Sequence, residues 1–470
     1  MTKRHSFPST CIALGFSAPE TLLSHVRREA ESGERFLEFR LDFLPSPEQG
    51  LKTIRTVLKE FPDCSILATC RRHQNCGRFN GSVEEQLRVL AAAVDAGVHA
   101  VDVEIESAEV AGASLDTLRG KAQLILSYHN FHGTPALEPV IRRMTALPAD
   151  AYKIVMTARK PSDNYRVLAV ARSHSKIPLV VLSMGETGFP TRVLSPLWGG
   201  LYTYAAPNAA EGTATGQISA RMLRQMYRLE KVTRNAKVFG VIADPVRHSI
   251  SPAVHNRAFQ ARRIDAVYLP FLVHPQQLKD FFVLAGKLPI AGFSVTIPHK
   301  QKVLRYLDVV DPLARRIGAV NTVWRKAGKW RGTNTDVMGV TVPLARQLRL
   351  SRATVLLAGN GGAARSAAFA ITEAGAKLAV VGRNQDRVRA LAKVCGAEAL
   401  LMDQLESRHF DVLIHATPVG MYPHVDGCLF PDRIPADVVF DMVYNPIETV
   451  LLKRAREQKK TIVNGVTMFM

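Results

Sequence analysis

Short apolar runs rich in β-forming residues recur through the first half of the chain, at 11–14, 36–41, 66–70, 100–105, 124–128, 152–156, 179–182 and 201–204. The segments between them have helical spacing. In 84–96 the apolar positions Leu87, Leu90, Ala91 and Val94 fall three or four residues apart or side by side, and 21–30 has the same character. Eight strand-then-helix repeats in about 230 residues predict a closed (β/α)8 TIM barrel. Two separate parallel sheets share this rhythm, but the barrel is the preferred reading. The rhythm then changes. Between 221 and 234 a polar helix is expected to run into a basic stretch that marks the domain junction, followed by a strand at 238–242, a loop holding Pro245 and Pro252, and a βα pattern to residue 323. A second break falls near Leu350. Beyond it a short strand at 354–357 leads into Gly359-Asn360-Gly361-Gly362, a small-residue helix at 363–374 and a strand at 378–381. That order opens a dinucleotide-binding, Rossmann-like fold. The predicted organisation is a barrel over 1–230, a second α/β domain over 235–345 completed by 447–470, and a Rossmann-like domain over 346–446.

Composition adds less than charge does. With 47% hydrophobic and 22% charged residues over 470 positions, the chain reads as globular and multidomain, not disordered or fibrous. Against 41 acidic residues stand 61 Lys and Arg, a net +20, of which residues 1–230 carry +4 and 231–470 carry +16. A nucleic-acid-binding tail would gather such charge in a run. Here the longest basic runs are pairs such as Arg262-Arg263 and Lys459-Lys460, so small anions are expected and nucleic acid is not. No apolar stretch reaches the ~18 residues that span a bilayer, and the first ten residues lack the apolar core of a signal peptide. The six cysteines are scattered, and Cys70 and Cys76 have no further ligand at zinc spacing. A reduced, cytoplasmic protein with free thiols and no metal is expected.

The chemistry of the first half should sit where the barrel strands end. Those ends supply Glu38, Arg40, Arg71, Asp102, Glu104, His129 and Lys153, with Arg192 in the loop after the seventh strand. Lys153 lies between Tyr152 and Ile154-Val155-Met156, in a run that should be buried. Burial and neighbouring arginines would penalise its ammonium and favour a neutral amine able to form an imine. His129, expected to titrate near neutrality, could pass protons. The segments Phe-Leu-Glu-Phe-Arg-Leu-Asp (36–42), Ser-Tyr-His-Asn-Phe-His-Gly-Thr-Pro (127–135), Lys153, and Ser-Met-Gly-Glu-Thr-Gly (183–188) with Arg192 resemble type I 3-dehydroquinate dehydratase across the whole half. The resemblance implies that Lys153 forms a Schiff base with the substrate ketone and that His129 removes the adjacent proton and helps expel water. It implies that Glu38, Arg40, Arg71 and Arg192 hold the substrate carboxylate and hydroxyls, with Thr213 and Gln217 in the last loop. One departure is Asn75-Cys76-Gly77, where the family often has Glu-Gly-Gly.

In the second half, Gly359, Gly361, Gly362 and Ala363 stand between a strand and a helix, where a helix N-terminus can receive phosphate. The next strand ends in Val381-Gly382-Arg383-Asn384. An acidic residue there would favour NAD, whereas Arg383, with Arg387 four residues on, favours the 2′-phosphate of NADP. His248-Ser249-Ile250-Ser251-Pro252 with His255-Asn256, Val295-Thr296-Ile297-Pro298-His299-Lys300, Ala319-Val320-Asn321-Thr322 and Asn334-Thr335-Asp336 resemble shikimate dehydrogenase. So do Ala416-Thr417-Pro418-Val419-Gly420-Met421 and Asp441-Met442-Val443-Tyr444-Asn445-Pro446. The resemblance implies that Ser249 and Ser251 bind the substrate carboxylate and that Thr296, Asn321 and Asp336 hold its hydroxyls. It also implies that Lys300 and Asp336 form the catalytic pair. Ser294 stands where the family usually has Asn. That family continues past Asn464–Phe469 into a helix whose Gln contacts substrate, so a sequence ending at Met470 is expected to be incomplete.

Together the two resemblances imply dehydration of 3-dehydroquinate to 3-dehydroshikimate, then reduction to shikimate with NADP(H). Two rivals remain at this point: an NAD-dependent quinate/shikimate dehydrogenase fusion, and a ligand-sensing regulator built from inactive copies of both enzymes.

Overall fold

The computed structural model describes residues 7–208, 210, 212–214, 216–247 and 249–469. His248 of the first dehydrogenase motif lies outside the described residues. By internal contacts the chain divides into two compact units, 1–240 with 250–290, and 241–249 with 291–470.

The eight apolar runs are all strands: β1 (Thr10–Leu14), β2 (Phe36–Arg40), β3 (Ser65–Thr69), β4 (Ala100–Glu104), β5 (Gln123–Asn130), β6 (Ala151–Thr157), β7 (Leu179–Met184) and β8 (Thr203–Ala205). They pair in the order β7-β6-β5-β4-β3-β2-β1-β8, and Leu201 N donates to Leu179 O at 2.8 Å across the remaining gap. The connecting helices are α1 (Pro19–Glu31), α2 (Pro47–Glu60), α3 (Val83–Asp95), α4 (Ile105–Ala111), α5 (Asp116–Arg119), α6 (Leu137–Thr145), α7 (Pro161–Ser173), α8 (Pro190–Leu197) and α9 (Ala220–Gln225). Local signals start several of them. Pro opens α1, α2, α7 and α8, where its missing N–H costs nothing. Ser82 and Glu85 form a capping box at α3. The expected polar helix is α9, which ends at Gln225, and Arg228, with φ 53°, turns the chain into the basic stretch.

The second sheet has the order β10-β9-β11-β13-β14-β12, with β9 (Lys237–Ala243), β10 (Ala266–Leu272), β11 (Ile290–Val295), β12 (Val309–Val310), β13 (Thr322–Lys326) and β14 (Lys329–Thr333). Its helices are α10 (Ser251–Ala261), α11 (Leu278–Lys287), α12 (Pro312–Ile317) and α13 (Asp336–Ala345). The third sheet holds β15 (Thr354–Ala358), β16 (Lys377–Val381), β17 (Glu398–Leu400), β18 (Phe410–His415), β19 (Ala436–Asp441) and β20 (Thr461–Val463), with α14 (Gly362–Glu373), α15 (Gln385–Cys395), α16 (Val450–Glu457) and α17 (Gly465–Phe469). Its order β17-β16-β15-β18-β19-β20 is all parallel. That is the doubly wound order that places a dinucleotide at the reversal beside its first strand. Among the described residues no helix is long and apolar enough to cross a membrane, and all six cysteines are free.

Candidate active sites

Strand alternation builds the first site. Every second side chain of a barrel strand points inward. Phe36, Leu67, Ala100, Ile125 and Ala151 pack in one interior cluster. Residues two and four positions on share their parity: Glu38 and Arg40, Thr69 and Arg71, Asp102 and Glu104, Ser127 and His129, then Lys153. An apolar layer therefore lies toward the strand starts and a polar layer toward the strand ends.

Lys153 is 3% exposed and Asp102 fully buried. The lysine Nζ lies 2.6 Å from Asp102 Oδ2 and 3.8 Å from Glu38 Oε1, and it donates to Tyr204 Oη at 3.1 Å. Ser127 Oγ and Arg71 Nη2 donate to Asp102 Oδ1 at 2.6 and 3.0 Å, and Thr69 donates to Glu38 at 2.7 Å. The charged groups nearest the amine are thus carboxylates, which corrects the expectation of arginine neighbours. Barrel closure brings them from β4 and β2. Burial works against the charge on Asp102, but Lys153 and Arg71 outweigh it and hold the carboxyl below its ordinary range.

Arg71 Nη1 lies 2.6 Å from Nε2 of His129 and 3.0 Å from Nδ1. A guanidinium only donates, so the nitrogen it faces presents a lone pair. Burial, then the charges of Arg71, Lys153 and Arg40, push the imidazole well below the ordinary histidine range. The expected titration near neutrality is corrected: the His129 imidazole is uncharged at neutral pH. Arg40 is held bidentately by Asp42 at 2.8 and 2.7 Å. Arg192 lies in α8 and not in a loop, since Pro190 opens that helix directly after a short connection. It is 3% exposed, and burial pulls it down to about 10. Its Nη1 donates to Tyr204 O at 3.4 Å.

The last loop is less engaged. Thr213 sets its methyl against Gly15, where a Cβ would come within 2.9 Å of it. Gln217 Oε1 accepts the Ala214 N–H at 3.2 Å. Among the described residues no hydrogen bond or ion pair joins either one to the Lys153 cluster. The Asn75-Cys76-Gly77 departure is a tight turn: Cys76 has φ 58°, and a Cβ at Gly77 would strike Arg71 O. Asp102, Ser127 and Tyr204 were given no role in the sequence reading. Their inward parity on β4, β5 and β8 was the available signal.

In the second half Lys300 Nζ lies 2.6 Å from Asp336 Oδ2, and Asn321 Nδ2 donates to the other carboxylate oxygen at 2.7 Å. The pair is tied to the glycine turn through Asn334 of the same motif and through Ser366, which no motif singled out. Asp336 N donates to Asn334 Oδ1 at 3.0 Å, Asn334 Nδ2 donates to Ser366 Oγ at 2.8 Å, and Ser366 donates to Gly362 O at 3.1 Å. A Cβ at Gly362 would come within 2.9 Å of Lys300 Cβ. The Lys–Asp pair therefore lies beside the start of α14. Ser249 is hydrogen-bonded to Tyr444. Ser251 opens α10 and is 6% exposed. Thr296 is half-buried after β11, with its N–H on Ile242 O at 3.2 Å. His255 stacks on Tyr268 at 4.2 Å, and Asn256 brackets the Tyr268 backbone at 2.8 and 2.9 Å, so these motif residues fasten α10 to β10.

Gly359 has φ 132°, and a Cβ there would meet Ala416 O at 2.7 Å. Gly361 precedes α14 with open space beyond its Cα, and Gly362 and Ala363 form the first turn. Arg383 and Arg387 are exposed, and among the described residues neither guanidinium has a partner. This cradle fits a dinucleotide phosphate: small residues, orphan helix N–H groups and unpaired cations converge on one end of the sheet.

A parallel barrel around a buried lysine, joined to a doubly wound sheet with a Lys–Asp pair at its glycine turn, defines a fusion of two α/β enzymes. Family profiles agree: type I 3-dehydroquinase matches residues 10–234, shikimate dehydrogenase substrate binding domain 241–323, and shikimate/quinate 5-dehydrogenase 344–422. The chain is 33% identical, over 98% of its length and 79% of the relative, to the bifunctional 3-dehydroquinate dehydratase/shikimate dehydrogenase, chloroplastic, of Arabidopsis thaliana. It is 32% identical, over 78% of its length and 76% of the relative, to the shikimate biosynthesis protein AroDE of Chlamydia pneumoniae. Half of it is 39% identical to 88% of the shikimate dehydrogenase (NADP(+)) of Methanocaldococcus jannaschii. The chain belongs to the bifunctional 3-dehydroquinate dehydratase/shikimate dehydrogenase family, and it carries both activities of the shikimate pathway.

Proposed function

We propose that Lys153 and His129 perform the dehydration and that Lys300 and Asp336 perform the reduction. The carrying observation is the buried Lys153, 2.6 Å from Asp102 and 3.1 Å from Tyr204 inside the barrel. Asp102 receives the ammonium proton, and the freed amine adds to the ketone of 3-dehydroquinate. Loss of water from that adduct, with return of the proton from Asp102 to the nitrogen, gives the protonated imine. His129 then takes the proton from the adjacent carbon, and the imine nitrogen draws in the electron pair. The protonated imidazole returns its proton to the departing hydroxyl. Hydrolysis of the imine frees 3-dehydroshikimate and Lys153, for a net loss of one water. Arg192, Arg71, Arg40 and Glu38 hold the carboxylate and hydroxyls, with Thr213 and Gln217 from the last loop.

In the reductase, Ser249 and Ser251 bind the carboxylate, and Thr296 and Asn321 the hydroxyls. Lys300 donates a proton to the ketone oxygen as charge develops there, steadied by Asp336. Gly359, Gly361, Gly362 and Ala363 receive the pyrophosphate of NADP(H), with Arg383 and Arg387 on its 2′-phosphate. When bound, that cofactor supplies the hydride. Neither reaction calls for a metal, since the imine and the ammonium supply the activation. We propose three domains: a dehydratase barrel over 1–230, a substrate domain over 235–345 completed by 447–470, and an NADP-binding domain over 346–446. We also propose a cytoplasmic enzyme acting on small anionic substrates, without nucleic-acid or membrane partners; the free cysteines support this.

Borohydride added with dehydroquinate should leave a reduced adduct on the peptide containing Lys153. An unmodified peptide under turnover conditions would sink the imine assignment. Lys300→Ala should abolish most NADPH-dependent reduction while leaving dehydration intact.

A further inference from the structure

The segment following the Lys153 strand is gripped by a helix from the dehydrogenase half of the sequence, and both lie in the first compact unit. Asp280 of α11 accepts from Ser162 N and from Ser162 Oγ, each at 2.7 Å. Ser162 is the second residue of α7, so the carboxylate meets a backbone N–H that the helix leaves unsatisfied, at the positive end of its dipole. Lys160 Nζ adds a contact at 3.7 Å. Gln277, just before α11, donates through Nε2 to Arg159 O at 2.9 Å.

The gripped segment in turn holds the loop that follows His129. Arg159 Nε donates to His132 O at 3.0 Å, and Arg166 Nη1 to Thr134 O at 2.6 Å. Thr157 Oγ1 donates to Asn130 O, and Thr134 Oγ1 to Thr157 O, both at 3.0 Å. Asn130 Oδ1 closes the loop by accepting from His132 N and Gly133 N at 3.0 and 2.9 Å. A continuous set of hydrogen bonds thus runs from Gln277 through Arg159 and His132 to Asn130, the residue beside His129, and Asp280 fixes the start of the adjoining helix through Ser162.

We propose that α11 braces the loop after β5 through Asp280 and Gln277, so that a dehydrogenase-half helix positions the dehydratase base. Asp280 and Gln277 are positioning residues: neither is among the groups assigned to substrate or cofactor. Exposed as they are, Arg159 and Lys160 could not fix this segment alone, because flexible surface side chains hold little order by themselves. The proposal rests on His129 being the base, and its test separates the two ideas.

In the full chain, Asp280→Ala should raise amide exchange over 157–163 and over 130–134, measured by mass spectrometry. Dehydratase kcat should fall about three- to tenfold, since only part of the energy of the two hydrogen bonds lost at Ser162 reaches the base, with KM for dehydroquinate nearly unchanged. Dehydrogenase turnover on dehydroshikimate should stay at the parent level. Asp280→Asn, which keeps an acceptor oxygen, should recover most of the dehydratase kcat. Ser162→Ala, a milder change that keeps its N–H, should give a smaller effect of the same kind. Unchanged exchange in 130–134, faster exchange with unchanged kcat, or equal loss of both activities in all three variants would overturn the brace. An active His129→Ala would overturn the base assignment and leave the exchange result standing.

Discussion

His129 shows how one contact sets a protonation state. Arg71 both occupies an imidazole nitrogen at 2.6 Å and places a like charge beside it, after burial has already disfavoured the imidazolium. In the proposed mechanism protonation of this group removes the base, and that protonation occurs only below the usual histidine range. The acid limb of the dehydratase pH–kcat profile should fall below about pH 6.5, the unperturbed histidine value. Arg71→Met should move that limb upward while lowering kcat, and an unmoved limb would discount the arginine. The linkage has the same sign. Between the folded value and 6.5 the unfolded chain binds the proton more, so this group lowers stability as pH falls through that window. Asp102 is the complementary case. It meets Lys153, Arg71 and Ser127 at 2.6 to 3.0 Å with no exposure. Asp102→Asn would leave two buried cations undercompensated. A loss of about 3 kcal/mol in urea unfolding is expected, the cost of breaking a buried pair, together with most dehydratase activity.

Elements are where local sequence and tertiary closure part company. The glycine turn is local: Gly359 combines φ 132° with a Cβ position 2.7 Å from a backbone oxygen, so no rotamer relieves an added methyl. Gly359→Ala should weaken NADPH binding, followed by fluorescence titration, while dehydration by the same chain continues. Such features are legible in sequence, because apolar runs, helical spacing and the glycine turn act over a few residues. The eight barrel runs and the strand–turn–helix at 354–374 emerged in place for that reason. Where the polar helix near 221 ends was not legible in this way, since buried Tyr227, Leu229 and Val232 draw the chain back against the body and Arg228 supplies the turn. The surroundings of Lys153 were hidden for a different reason. Asp102 and Glu38 reach it from β4 and β2, and no spacing along the chain encodes a contact made only when a sheet curls around. The same holds for Asn334 and Ser366, which link the Lys300 pair to α14 across 32 residues.

For the whole molecule, the division of charge into +4 and +16 separates two ways of holding an anion. The barrel arginines Arg40, Arg71 and Arg192 are each less than 10% exposed, and act at short range in a water-poor interior. Added salt reaches such charges weakly. Arg383 and Arg387 are exposed, surrounded by a half-chain whose excess positive charge attracts a polyanion from a distance. Raising ionic strength from about 50 to 500 mM shortens the Debye length to a few ångströms. KM for NADPH should then rise severalfold, and KM for dehydroquinate much less, in the same preparation assayed for both activities. Arg383→Ala should flatten the NADPH response and bring its KM toward that of NADH, since the cation proposed to meet the 2′-phosphate is gone. Equal salt responses at the two sites would mean that the dehydrogenase-half charge is a solvated surface with no part in drawing in the cofactor.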